Sequence, residues 1–380
     1  MNRTRWLLLG AYLGAALVAA YVCAFVQHCN NFAIYRWAFT NLAEGRNLYG
    51  QHPGQHWDLF KYSPSFALLM APFSLLPFGA GMILWDVLNA LALFYAVHRL
   101  LPDRRGEPAL LLVLVAFVLT SDGSQVNPML TGLMVLSVVG LENADVRGDV
   151  AAALAIGIGT ITKIFPIAAA TLGLRRAGVS RFAGILCLTL VALLLAPLVV
   201  TPAPTLMQQF SWWRAILAHD VRATGVSLLE TLAWSGWSRG NALPETAGVA
   251  LLLAPVFARA EWDTDRRRLF LCSILLYVVL FNPQAERPSF ILALTGASLW
   301  SVTSARSALR TGLMVMLGVA ASLAMVADLS QGSLGAWRHA PLQFLVLSCA
   351  TVWVAVQLDL WGVSEWAPRV RPVAVEQLSG

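Results

Sequence analysis

The chain has 380 residues, of which 58% are hydrophobic and 12% are charged, and its formal net charge is +6. Soluble domains carry roughly 25% charged and roughly 45–50% apolar residues, so this composition excludes a soluble enzyme, a nucleic-acid-binding protein and a disulfide-stapled secreted module. At ~20 residues for each crossing, the apolar residues suffice for about eleven helices. We therefore predict an all-α, polytopic membrane helix bundle.

The first apolar run predicts an uncleaved membrane anchor. Residues 6–26 are too many for a typical signal-peptide core, and the run lacks a small-residue cleavage site. Arg3 and Arg5 precede it, and basic residues stay preferentially in the cytoplasm. The sequence thus places the amino terminus in the cytoplasm.

Two long segments, 27–62 and 201–244, are predicted to be outer loops that carry short helices. Between the first loop and the next span, the proline-broken segment 63–77 predicts a re-entrant or membrane-surface helix. Four runs of about twelve residues then flank 121–128 and Lys163, as expected of helices that stop at a protein-lined cavity. The remaining predicted spans, with these four runs, are 79–98, 109–120, 129–141, 150–162, 164–174, 179–200, 247–258, 269–282, 289–303, 311–327 and 341–358.

The distribution of arginines sets the predicted orientation. With about twelve crossings, 17 of the 26 basic residues fall in cytoplasmic segments, mostly short loops. Both termini are then cytoplasmic, residues 1–360 form one transmembrane domain, and 361–380 form a cytoplasmic tail. The outer face collects both long loops and Lys163, so we expect the function there.

Neither cysteines nor histidines predict a metal site. The five cysteines show no CxxC or paired spacing, which argues against a disulfide framework as well. Three histidines share the first outer loop, but their spacing is not that of a zinc site. We predict no metal and no cofactor.

Motifs in the first half of the chain resemble those of glycosyltransferase family 87, a polyprenyl-phosphate-mannose-dependent group of membrane glycosyltransferases with the GT-C fold. They are an N-F-x-x-Y element at 31–35, GRNLY at 45–49, KYSPSF at 61–66 with PFSLLP, W-x-x-x-N at 85–89, SQVNP at 124–128 and TKIFP at 162–166. The resemblance implies a GT-C-like fold and transfer of a sugar from a polyprenyl-phosphate donor.

Asn31 departs from the family pattern. The family usually has an aspartate immediately before this phenylalanine, taken as the catalytic base, whereas an amide cannot accept a proton at neutral pH. Either another carboxylate serves as the base, or the chain has lost or changed the activity. The same motif implies substrate-binding roles for Asn31 and Tyr35.

Two carboxylates are candidates for the base that deprotonates an acceptor hydroxyl. Asp58 is the first choice, because it precedes Lys61 and Tyr62 beside the membrane; the alternative is a solvated ion pair. Glu286 is the second choice, in a turn with Arg287 that could clamp a phosphate or form a turn ion pair.

Lys163 is the strongest candidate phosphate ligand. A lysine at the centre of a membrane helix costs ~2.5–3.5 kcal/mol on insertion scales, which marks a functional site by default; the alternative is snorkelling to the outer interface. Its expected partner is the donor phosphate or Asp122. Gln125 and Asn127 join Asp122 in a polar hairpin that either holds sugar hydroxyls or caps helix ends. Asp86 predicts a structural contact with Asn89.

We therefore predict a metal-independent hexosyltransferase of a bacterial-type inner membrane with an extracytoplasmic active site. It would move mannose or another hexose from a polyprenyl-phosphate donor to a lipid or glycan acceptor, with membrane lipids and no nucleic acid as partners. The alternatives are a transporter or flippase of lipid-linked glycans, and a catalytically altered accessory protein.

Overall fold

A computed structural model of the chain describes residues 2–27, 29–120, 123–220, 225–237, 242–258, 262–305, 307–329 and 339–362. No strand occurs in these ranges, and the predicted all-α class is confirmed. The α-helices of these ranges are α1 (Arg3–Val22), α2 (Asn30–Ala43), α3 (Pro64–Leu69), α4 (Ala71–Ser74), α5 (Phe78–Leu100), α6 (Gly106–Thr120), α7 (Asn127–Glu142), α8 (Val146–Thr162), α9 (Val179–Leu195), α10 (Ala203–Asp220), α11 (Leu228–Trp234), α12 (Ala242–Ala258), α13 (Thr264–Leu280), α14 (Phe290–Thr303), α15 (Ala308–Leu329) and α16 (His339–Trp361).

Membrane-spanning character is clear for part of the bundle. Within the described ranges, five segments are long and apolar enough to cross a bilayer: Arg3–Val26, Phe78–Leu100, Val179–Val199, Ala308–Ala327 and His339–Trp361. Helices α6, α7 and α12 are apolar but have only 15, 16 and 17 residues, under the ~20 of a typical span. The total of about twelve crossings stays a prediction.

Small residues let the central helices pack closely. A Cβ atom added to Gly132 of α7 would lie 2.7 Å from the backbone of Ala92 in α5. At the other end of α7, a Cβ on Gly140 would lie 2.8 Å from the carbonyl oxygen of Gly148 in α8. Close backbone approach at small residues is how membrane helices associate, and here it holds α5, α7 and α8 together.

Arginines gather at one end of the bundle, which we call the arginine end. There Arg5 of α1 donates to the carbonyl oxygens of Pro102 and Asp103 after α5, at 2.8 and 2.6 Å. Further ion pairs at this end join different helices or the turns beside them: Arg176 and Arg181 with Asp149, Arg268 with Glu142, and Arg310 with Asp359. These pairs tie neighbouring helices together at the arginine end.

The opposite end, which we call the outer end, brings the two long loops together. Helix α2 occupies much of the first loop, and α10 and α11 lie in the second. Gln209 of α10 is fully buried and bridges to the first loop, since it accepts from the Leu48 N–H at 3.2 Å and donates to the Arg46 carbonyl at 2.6 Å. Both loops thus form one cap over the bundle.

The prediction of no disulfide was wrong for one pair of cysteines. Cys23 and Cys29 form a disulfide with their Cα atoms 4.9 Å apart, inside the usual range of ~4.4–6.8 Å. A π-helical turn, Cys23–Gln27, ends α1, and the chain reverses before α2 begins. A separation of six residues does not reveal such a reversal in the sequence.

Two apolar segments do not form a continuous membrane-spanning α-helix. The 63–77 segment folds into the short helices α3 and α4, where Ser63 caps α3, Pro64 follows at its first turn, and the Ser63 hydroxyl donates to the Ile161 carbonyl of α8. The 164–174 run, predicted as a half-helix, is a 3₁₀ helix, Phe165–Gly173. Pro166 lies in its first turn, where proline cannot donate a backbone hydrogen bond.

Candidate active site

Lys163 lies immediately beyond α8, in extended backbone with φ −133° and ψ 145°. Its Nζ donates to Asn127 Oδ1 at 3.0 Å and lies 6.0 Å from the centre of the Tyr62 ring. The carboxyl end of a helix favours a positive charge, and the aromatic face adds a cation–π attraction. The partner is thus Asn127, whereas the predicted partner Asp122 lies outside the described residues.

Asn127 presents a second polar group at the same place. Its side chain is 1% exposed, and its Nδ2 has no hydrogen-bond partner among the described residues. A buried amide N–H without a partner costs about 1–3 kcal/mol, which a ligand oxygen would recover. Asn127 therefore both orients Lys163 and offers a donor of its own.

Tyr35 and Tyr62 bring two hydroxyl groups together beside Lys163. Their oxygens are 2.8 Å apart, and their rings pack edge to face with centroids 5.1 Å apart. Burial raises the pKa of both hydroxyls, and the charge of Glu286 acts in the same direction on each. Both tyrosines are therefore protonated at neutral pH, and since they share one hydrogen bond, one hydroxyl hydrogen is left for a ligand oxygen.

Glu286 is the exposed carboxylate that acts on this group. It lies between α13 and α14, before the short 3₁₀ helix Arg287–Ser289, and its backbone N–H donates to Ser289 Oγ at 3.2 Å. Its negative charge acts on the Lys163 ammonium and on both tyrosines. Residues 287–289 close the turn tightly, which holds Glu286 at the outer end.

Asp58 is the other exposed carboxylate of the candidate site. It is exposed, its Oδ1 accepts from the Leu59 N–H at 2.7 Å, and its backbone carbonyl contacts His56. Its charge acts on Tyr62 and His56, whereas the charges that act on Lys163 are those of Glu286 and Lys61. Both candidate bases therefore act on Tyr62, and Glu286 acts on Lys163 as well.

Asn31 holds the turn between α6 and α7. Its Nδ2 donates to the Gly123 carbonyl at 2.9 Å. Gly123 and Ser124 have φ of 64° and 51°, a left-handed conformation that suits glycine. A carboxylate at position 31 would set a negative oxygen against that carbonyl, so the amide is the side chain that fits this contact.

The same turn provides the hydrogen-bond partner of Asp86. The predicted contact between Asp86 and Asn89 was wrong. Asp86 accepts from Ser124 Oγ at 2.9 Å, and Trp85 Nε1 donates to the Ser124 carbonyl. Asn89 instead accepts from the Met129 N–H at 3.0 Å. The left-handed turn aims Ser124 back at α5, which the helical spacing of Asp86 and Asn89 did not show.

The remaining predicted site residues take supporting positions. Gln125 is half-buried at a small cavity of about 20 Å³ between Asp86, Asn89 and Pro288, room for about one water. Arg287 is 9% exposed and donates to the Leu119 carbonyl at 2.7 Å, so it caps the last turn of α6. Lys61 lies beside Tyr62, and its carbonyl accepts from Trp213 of α10 at 3.1 Å.

The sequence profile of glycosyltransferase family 87 matches residues 60–283. The chain belongs to glycosyltransferase family 87. This match confirms the resemblance drawn from the motifs, and it identifies the protein as a membrane glycosyltransferase. No match was found among curated proteins.

The matched range of this family 87 chain covers one part of the candidate site. Lys61, Tyr62, Gln125, Asn127 and Lys163 lie within it, whereas Asn31, Tyr35, Asp58, Glu286 and Arg287 lie outside. The matched range therefore contains Lys163 together with its contacts Asn127 and Tyr62. Both candidate bases belong to the part that the profile does not cover.

Sequence reasoning missed two members of the outer end. Ser124 entered the sequence prediction only as part of the SQVNP motif, and Asn30 did not enter it. Asn30 accepts from the Trp57 N–H at 3.1 Å, yet its Nδ2 has no partner in the described ranges. The doubled asparagine before Phe32 was the signal available for it.

Proposed function

We propose that this family 87 glycosyltransferase moves a hexose, with mannose the first choice, from a polyprenyl-phosphate donor to a lipid or glycan acceptor at the outer end. The observation that carries the proposal is the Lys163 ammonium, held by Asn127 next to the Tyr35–Tyr62 hydroxyl pair, with Glu286 acting on the same group. A cation and two neutral donors, the Asn127 amide and one tyrosine hydroxyl, together suit a phosphate oxygen whose charge grows as the bond to the sugar breaks.

The proposed reaction is a direct displacement. The acceptor hydroxyl oxygen bonds to the anomeric carbon, the bond from that carbon to the phosphate oxygen breaks, and the electron pair leaves with the polyprenyl phosphate. The hydroxyl proton passes to the base carboxylate. Lys163, Asn127 and Tyr62 stabilise the departing phosphate, and no metal or cofactor takes part.

Glu286 replaces Asp58 as our first choice for the base. Glu286 acts on Lys163 and on both tyrosines, whereas Asp58 acts on Tyr62. Arg287 becomes a positioning residue, because its guanidinium binds the end of α6 and sets the turn that carries Glu286.

The proposed location is the inner membrane of a bacterial-type cell, with both termini cytoplasmic and the outer end in the extracytoplasmic space. The Cys23–Cys29 disulfide supports this orientation, because disulfides persist in oxidising compartments. The arginine end supports it too, since cytoplasmic loops carry the excess of arginine.

The test is a transfer assay with purified full-length protein, polyprenyl-phosphate-mannose and membrane lipid acceptors. We expect Glu286→Gln to lower kcat by ~10²–10⁴-fold, the usual contribution of a general base, and Asp58→Asn to keep most of the activity. Full activity in Glu286→Gln together with loss in Asp58→Asn would restore Asp58 as the base. No turnover with any polyprenyl-phosphate sugar would overturn the function.

A catalytically altered accessory protein is the second candidate, and Asn31 is the observation that favours it. The Asn31 amide contacts the Gly123 carbonyl in a way that an aspartate would not. A catalytically altered accessory protein would bind the polyprenyl-phosphate sugar without turnover. Turnover in the assay above would exclude this second candidate.

A further inference from the structure

A second pocket lies at the outer end, on the other side of α2 from the Lys163 site. Asn30, Ala33 and Trp37 follow the spacing of one helix face, and they line this pocket. Asn31 and Tyr35, one turn apart on a different face, point to Gly123 and Tyr62 instead. Helix α2 therefore separates the pocket from the residues proposed to hold phosphate.

The pocket has the size of a small-molecule site. Its volume is about 460 Å³, within the ~300–1,000 Å³ of typical ligand pockets. Aromatic rings of Trp37, Trp57 and Phe78 line it, and the Cys23–Cys29 disulfide fixes one edge. Trp57 is 82% exposed, so a large flat ring stands at the rim without a protein surface over it.

Asn30 and His56 are buried polar side chains that line the pocket. Asn30 is 9% exposed, and its Nδ2 has no hydrogen-bond partner in the described ranges. His56 is 7% exposed, and its Nδ1 lies 2.6 Å from the Asp58 carbonyl oxygen. A carbonyl can only accept, so Nδ1 carries the proton and Nε2 of the neutral ring is an acceptor. Burial lowers the pKa of His56, which favours that neutral form.

These groups define the chemistry of a ligand. An acyl chain would leave the Asn30 donor and the His56 acceptor unpaired at a cost of about 1–3 kcal/mol for each. An anion finds no cation, since no lysine or arginine is among the described residues that line the pocket. A neutral ring with neighbouring hydroxyls fits both, since one hydroxyl accepts from Asn30, the next donates to His56, and the C–H face of the ring packs on a tryptophan.

We propose that this pocket binds a sugar ring of the glycan acceptor, at a distance from the hydroxyl that reacts. The proposal rests on the proposed function in that it takes the acceptor to be a glycan of several sugars. It assigns Asn30, His56 and Trp57 to acceptor binding, and none of them to the chemical step.

The test measures saccharide binding without turnover, using full-length protein in lipid nanodiscs and equilibrium dialysis of a labelled linear mannotetraose, with maltotetraose as a second hexose chain. The variants are Trp57→Ala, which removes an exposed ring, and Asn30→Asp, which keeps the oxygen that accepts from Trp57 but removes the donor. Trp57→Phe is the conservative rescue, and Trp237→Ala is the control for an exposed tryptophan elsewhere at the outer end.

We expect a ~10-fold or larger rise in Kd, about 1.4 kcal/mol, in Trp57→Ala and in Asn30→Asp. Trp57→Phe should stay within ~3-fold of the parent, and Trp237→Ala should not change. In the transfer assay, the same two variants should raise the KM for a tetrasaccharide acceptor and leave kcat in place.

Unchanged Kd in both Trp57→Ala and Asn30→Asp overturns the proposal, as does binding that is lost in Lys163→Met but kept in Trp57→Ala. Saccharide binding that depends on Trp57 in a protein that transfers no sugar supports the pocket and contradicts the proposed function. Active transfer whose acceptor KM is unchanged in Trp57→Ala and Asn30→Asp supports the proposed function and contradicts the pocket.

Discussion

At the arginine end, the Asp149 carboxylate is completely buried and its two oxygens accept from Arg176 and Arg181, whereas at the outer end the Glu286 carboxylate is exposed. These ion pairs join the start of α8 to the start of α9 and to the turn before it. At the outer end, Lys163 is held by a neutral amide and an aromatic ring. Charges compensated by countercharges fix helix positions, and a cation held by neutral groups keeps its charge available for a ligand.

The largest expected effect is on stability at the arginine end. Asp149→Asn leaves the buried Arg176 guanidinium without its countercharge, and breaking a buried pair in this way costs ~3–5 kcal/mol. We expect a clear fall in the thermal unfolding midpoint of the purified protein, with activity per folded molecule unchanged. The control is Glu44→Gln, which breaks the exposed pair with Arg46 and should cost no more than ~1 kcal/mol. An equal fall in the unfolding midpoint for the two variants would contradict the distinction drawn between the arginine end and the outer end.

The reverse pattern is expected at Lys163. Lys163→Met removes the charge but keeps an unbranched chain, and the loss of one preorganised donor to a developing charge lowers kcat by ~10²–10³-fold. The unfolding midpoint should stay the same or rise, because a desolvated cation is removed. Lys163→Arg is the matched variant that keeps the charge and should recover part of the activity. A strongly destabilised Lys163→Met with normal kcat would make Lys163 a structural residue.

The disulfide gives an intermediate effect and tests which end faces outward. Replacing both Cys23 and Cys29 by serine should cost about 2 kcal/mol, as expected for a short closed loop. In intact cells, an impermeant thiol reagent should label the parent protein at these positions only after an impermeant reductant is added. Labelling only in broken cells would reverse the orientation of the bundle.

The smallest effect is expected at Asn31. Asn31→Asp replaces the donor to the Gly123 carbonyl by a carboxylate, and the lost hydrogen bond costs about 1 kcal/mol. Activity should not rise, because the turn that Asn31 supports would be disturbed. A gain in kcat would instead show that position 31 is the place of the base.

The apolar runs predicted most of the helices, because their lengths and flanking arginines depend on local composition alone. Lys163, Asn127 and Glu286 could be selected as candidates, since a charge or amide between apolar helices is costly wherever the chain leads. The contact of Asn31 with Gly123 and that of Asp86 with Ser124 could not be predicted. They depend on a left-handed turn that places α6 and α7 against α2 and α5. The spacing of residues along one helix does not predict this turn.

The sequence alone also could not decide between Asp58 and Glu286 as the base. Asp58 was preferred because it is three residues from Lys61, but closeness along the chain said nothing about which carboxylate acts on Lys163. Glu286 is 123 residues away in sequence, and the packing of α13 and α14 against α7 brings its charge to bear on Lys163. The disulfide was missed for a related reason, since the π-helical turn after α1 has no clear sequence signal.

The buried bridge of Gln209 has a consequence for biosynthesis. Its two hydrogen bonds reach back 161 and 163 residues to the first outer loop, and at ~5–20 residues per second a ribosome needs about 8–30 s to make that stretch. In the proposed orientation, the first loop lies outside the membrane during this interval without the helix that covers it. The Cys23–Cys29 bond closes within a much shorter stretch of chain, so oxidation can secure the start of α2 while the rest of the cap is still being synthesised.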